Sequence, residues 1–181
     1  MRVAAFLRAV NVGGRIVPMA RLKAVFESVG CRHVRTVIAS GNVVFDAASS
    51  DIAALEASIE AAVQESLGWG ADTFVRSGPE LQAVVDSPPF TRAEIEAAGS
   101  TNVAFLRSPP NAEAQALLMA RESPIDRFAV QGREVYWLCK TKQSESDFSG
   151  AVLEQTLGMR ATLRGLATVE RVLREIDRSL S

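Results

Sequence analysis

The chain has one histidine and two cysteines in 181 residues, and these scarcities exclude several kinds of chemistry. Cys31 and Cys139 stand far apart without paired spacing, which argues against a disulfide framework and a thiol-ligated zinc site of the usual kind. A reduced, cytoplasmic setting is the expectation. His33 has no nucleophile to serve as general base, and Cys31, two positions away, reads as an incidental loop neighbour. Asp46, Glu134 and Asp147 do not form a recognisable metal set, and no cofactor fingerprint occurs, so neither metal nor cofactor is expected. No apolar run approaches the ~20 residues of a membrane span. The opening Met1–Leu7 run is cut short by Arg8 and Asn11, so a strand is expected there and not a signal peptide. A net charge of −1 and 6% aromatics disfavour a protein that grips nucleic acid. Lysine is scarce as well, 3 residues against 17 arginines. With 21 acids in balance, that skew reads as coding bias in a GC-rich genome before it reads as anion recognition.

What is present is an ordinary globular composition, 48% apolar and 23% charged, arranged as one unit used twice. Val3–Leu7 reads as a buried strand. Leu22, Val25, Phe26 and Val29 have helical spacing after Pro18, with Gly30 as the stop. Val34–Ala39 and Val43–Asp46 flank a Ser40-Gly41-Asn42 turn. Asp51 and its serine neighbours cap a helix bearing Ile52, Leu55, Ile59, Val63 and Leu67, and Asp72–Arg76 is a fourth strand. This βαββαβ order is that of ferredoxin-like domains. After a helix from Gly78, residues 91–101 read as a linker or an irregular helix. The order then repeats from Asn102, with Asn111 as a helix cap and Phe148 on the second helix, and closes with a helix from about Thr168. The expected architecture is α+β: two tandem ferredoxin-like subdomains, each an antiparallel sheet with helices on one face. They would span 1–90 and 102–181, the second including the C-terminal helix.

In that topology the first and second strands run parallel, with the third antiparallel between them. The loop after the first strand, the hairpin and the entry to the fourth strand therefore share one edge. Arg8, Asn11, Gly13, Gly14, Arg15, Ser40, Gly41 and Asn42 converge there, with Trp69 within reach. The first helix would add its positive end, where Arg15, Arg21 and Lys23 crowd and Glu27 is the first acid. The plain alternative is that both loops are simply turns. Three functions stay open. The leading one is non-catalytic binding of a small anionic ligand or a partner. The second is an enzyme on a phosphorylated or acidic metabolite, with arginine clamps. The third is single-stranded RNA binding on the sheet faces, where Phe45 would stack a base. The sequence does not specify an oligomeric state.

Leu7-Arg8-Ala9-Val10-Asn11-Val12-Gly13-Gly14, Val17-Pro18-Met19 with Leu22, and Ser40-Gly41-Asn42-Val43-Val44-Phe45 resemble the bacterial family known as domain of unknown function 1697. The resemblance runs through nearly the whole chain. It implies two tandem ferredoxin-like subdomains and brings no activity, cofactor or substrate. The C-terminal half departs from it. Thr162-Leu163-Arg164-Gly165-Leu166 replaces a Thr-Arg-Asn-Trp-like run, and Ser146-Asp147-Phe148 replaces a Ser-Lys-Leu-like stretch. Either a shared site is altered here, or these residues only pack.

Overall fold

The computed structural model describes residues 1–38 and 41–178. Backbone contacts divide the chain into two compact units, Met1–Gln82 with the chain from Glu170, and Ala83–Val169. The first unit runs β1 (Arg2–Leu7), α1 (Met19–Ser28), β2 (Arg32–Thr36), β3 (Asn42–Asp46), α2 (Ile52–Leu67) and β4 (Thr73–Ser77). Its sheet has the order β2-β3-β1-β4 with every neighbouring pair antiparallel. Val3 faces Phe45 and Ala5 faces Val43 across the central pair, so the expected topology holds.

Alternation along the strands sends Val3, Ala5, Leu7, Val43, Phe45 and Val75 to one face. There they meet Leu22, Val25 and Phe26 of α1 and Leu55, Ile59 and Val63 of α2. Phe45 belongs to this core, edge-on to Phe26 with ring centres 5.1 Å apart. The Asp51 carboxylate accepts from the Ala54 N–H at the start of α2, and Gly68 ends the helix in the left-handed conformation. β2 begins earlier and ends sooner than its apolar run suggests. His33, at φ 49°, makes the pairing irregular between Arg32 and Arg35, and Ile38, at φ 58°, turns the chain out of the strand.

α3 (Gly78–Asp86) follows β4, and the stretch expected as linker or irregular helix contains α4 (Arg92–Ala97). Thr91 and Glu94 form a capping box there: each side chain accepts from the other's backbone N–H. The second unit repeats the first as β5 (Ser100–Leu106), α5 (Ala112–Met119), β6 (Asp126–Gln131), β7 (Glu134–Cys139), α6 (Gly150–Leu157) and β8 (Ala161–Gly165), in the order β6-β7-β5-β8. Asn111 caps α5 as expected. Phe148 precedes the Ser149 cap of α6 and packs instead on Phe128 and Trp137. The last helix, α7, spans Leu166–Arg178.

Helices cover one face of each sheet, yet the opposite face is closed too. Ala4, Phe6, Val44, Phe74 and Arg76 on the first sheet are fully buried, as are Val103, Phe105 and Tyr136 on the second. Phe6, Phe45, Phe105, Tyr136 and Trp137 of the central strands are all buried, which does not favour base stacking on the sheet faces. No described helix is long and apolar enough to cross a membrane.

Candidate functional site

The three loops named from the sequence do meet in the first unit. The Leu7 N–H donates to the Gly41 carbonyl and the Arg8 N–H to the Asp72 carbonyl, each at 2.8 Å. The end of β1 is thus tied to the hairpin on one side and to the entry of β4 on the other.

Four residues of the loop after β1 have left-handed backbone: Ala9, Asn11, Gly13 and Gly14 at φ 60°, 58°, 62° and 82°. The Asn11 N–H donates to the Arg15 carbonyl, and the Asn11 side-chain carbonyl accepts from the Val17 N–H at 2.8 Å. Asn42 is only 1% exposed, and its Nδ2 donates to the Val37 carbonyl at 3.0 Å. Both amides expected to face a ligand therefore hold loop backbone. Ser40 lies outside the described residues. Gly41 is needed where it stands: a Cβ there would sit 3.1 Å from the Val10 Cβ and 3.2 Å from the Leu7 carbonyl oxygen. Gly13 and Gly14 are exposed, with open space where a Cβ would lie.

Of the cations expected to crowd the start of α1, one stays at the loop. The Arg15 guanidinium lies 5.2 Å from the ring centre of the half-buried Trp69. Arg21 reaches across to donate to the Ser66 carbonyl at the end of α2, and Lys23 pairs with Glu27 one turn along. The start of α1 has no side-chain cap and no acid in its first turn. Arg8 is half-buried at the root of the loop. The cluster thus combines a stacked arginine, exposed loop backbone and an uncapped helix start, a set suited to holding an oxyanion.

His33 lies within β2 and not before it, at the end of the strand away from these loops. Its Nδ1 is 2.6 Å from Asp46 Oδ2, while Arg2 donates to Asp46 Oδ1 and to the His33 carbonyl. Burial pulls the Asp46 carboxyl upward, but the hydrogen bonds and charge of His33 and Arg2 outweigh it and hold the group below its ordinary range. Burial pushes the Cys31 thiol up to about 11, which leaves it a poor nucleophile.

The divergent C-terminal residues pack. Arg164 donates to the Thr162 hydroxyl and the Leu163 carbonyl, both at 2.8 Å, and Leu166 is buried. Ser146 donates to Asp126 at 2.7 Å, and the same carboxylate accepts from the Trp137 indole. Sequence reasoning missed a second cationic feature altogether. Arg171, Arg174 and Arg178 of α7, with Lys23 and Arg35, line a cleft of about 660 Å³ beside β2. Their i, i+3, i+7 spacing, opposite the apolar stripe of Val169, Val172, Leu173 and Ile176, is the signal that would have found it.

The chain belongs to the family described as Protein of unknown function (DUF1697), which matches residues 1–136. A solved structure, the conserved bacterial protein SP0830 from Streptococcus pneumoniae, is similar over 97% of this chain and 98% of that one. Its TM-score is 0.78 at 18% identity, a likeness of fold. No curated protein matches the chain.

Proposed function

We propose that this member of the family binds a small anionic ligand at the loop cluster, without catalysing a reaction on it. The observation that carries the reading is Arg15 over Trp69 beside the exposed Gly13-Gly14 turn. The cation–π contact holds the guanidinium at the ring, and guanidinium N–H groups are the donors that suit a carboxylate or phosphate. Among the described residues, Arg15 has no carboxylate partner that would already use those donors. Val12 and Ile16, 63% and 81% exposed, flank it and favour a ligand with an apolar body as well as a charge.

A thermal-shift screen of inorganic phosphate, nucleotides and small carboxylates tests the reading. A ligand at 100 times its dissociation constant should add about 2.7 kcal/mol of stability. The rise should shrink in Arg15→Ala and in Arg8→Ala. If no anion raises the melting temperature, or both variants respond like the parent, the reading is wrong.

A further inference from the structure

Each four-stranded sheet has two outer edges, and on three of the four a glutamate accepts from an outward N–H. On β4, the Val75 N–H donates to Glu56 and the Thr73 N–H to Glu60, both at 2.8 Å. On β6, the Phe128 N–H donates to Glu122 at 3.2 Å, and on β8 the Ala161 N–H donates to Glu154 at 3.0 Å. A carboxylate laid against an outward N–H hinders strand addition at that point of the edge.

Among the described residues no carboxylate takes a backbone N–H of β2, and Glu175 beside it binds the Arg35 side chain instead. Val34, Arg35, Thr36, Val37 and Ile38 all line the cleft beside β2. Consecutive strand residues point to opposite faces, so a cleft touching all of them runs along the backbone edge. The Val37 N–H donates inward to the Asn42 carbonyl, and ladder alternation turns the Thr36 N–H and C=O outward. No described residue pairs with that outward N–H. Where the other edges meet acids, this one meets Lys23, Arg35, Arg171, Arg174 and Arg178. Among the described residues the one acid lining the cleft is Glu175, held by Arg35 at 2.8 Å and Arg178 at 3.8 Å.

We infer that the outer edge of β2 receives an extended, acidic polypeptide segment, paired through backbone to Thr36 and through carboxylates to Arg171 and Arg174. Edge cations that merely discourage aggregation would explain Arg35, but not three more arginines delivered by a separate helix. Edge-to-edge docking of a second copy would set these cations against themselves. A nucleotide would find no aromatic in the cleft to stack its base. Strand addition to an open edge, with side chains supplying specificity, is an established mode of peptide capture. The inference uses none of the residues of the loop cluster.

Fluorescence anisotropy of a labelled, alternating valine–glutamate octapeptide with the full chain at low salt tests it. Saturable binding is expected. It should weaken at least tenfold in the Arg171→Glu/Arg174→Glu variant with its melting temperature kept, and equally when alternate peptide amides are N-methylated. Arg15→Ala should leave it unchanged. If the charge reversal does not fold, Arg171→Gln/Arg174→Gln with the N-methylated peptide gives the same reading. Absent binding, equal affinity for the N-methylated peptide, or indifference to either double substitution overturns the inference. So does binding of inorganic polyphosphate alone, which would make the cleft a small-anion site.

Discussion

Arg76 in β4 and Arg164 in β8 are equivalent residues of the two sheets. Each is the fourth residue of its strand, and each guanidinium donates to the carbonyl of the residue before it, at 2.9 and 2.8 Å. Arg76 is fully buried, and burial brings the Arg164 guanidinium down to about 10, still charged at neutral pH. A buried guanidinium survives only with its hydrogen bonds made, so removing it leaves acceptors unmatched and a void. Arg76→Ala is expected to cost about 3 kcal/mol or more in urea unfolding. A loss under about 1 kcal/mol would mean that the guanidinium is not integral to this core.

The edge carboxylates give a second test. Glu56 is 2% exposed and accepts from the Val75 N–H. Glu56→Ala leaves that N–H buried without its acceptor and should cost about 1–3 kcal/mol. Equal stability of variant and parent would show that water replaces the carboxylate at no loss.

The glycines of the loop cluster should separate by mechanism. Gly14→Ala meets only the left-handed backbone penalty, about 1 kcal/mol. Gly41→Ala adds contacts with Val10 and Leu7 to the same penalty and should lower the melting temperature further. The opposite order would contradict the close packing of the hairpin on β1.

Glu94 sets an acid dependence. Hydrogen bonds from the Thr91 backbone, from Arg127 and from the Thr91 hydroxyl bring its carboxyl from 4.5 down to about 2. A depressed folded-state value contributes stability that is fully present above the unfolded value and is lost as pH falls toward the folded one. The parent should therefore lose stability between about pH 4.5 and 2 more steeply than Glu94→Gln, by melting temperature against pH. Parallel curves would contradict the assignment.

Much of the fold was legible because period-2 and helical spacings are local. Val3–Leu7, Val43–Asp46, the Asp51 cap and the repeated unit are all found. Strand ends were less so: β2 is set by left-handed backbone at His33 and Ile38, residues whose types do not announce it. The capping box at Thr91 and Glu94 was visible as a T-x-x-E pattern but sat in a stretch without strong apolar periodicity. In the loop cluster, residue type located the loops but not the side chains. Asn11 and Asn42 look like ligand donors in sequence, yet their amides serve neighbouring backbone. The β2 cleft joins a strand and a helix more than 130 positions apart, a juxtaposition that no local pattern encodes.

The most direct measurement of the anion-binding account is a two-dimensional amide spectrum of the full chain titrated with inorganic phosphate and with a nucleoside monophosphate. Saturable shifts are expected at the Gly13 and Gly14 amides and the Trp69 indole, lost in Arg15→Ala. An unmoved spectrum at those three resonances, or shifts confined to residues beside β2 and α7, would contradict it.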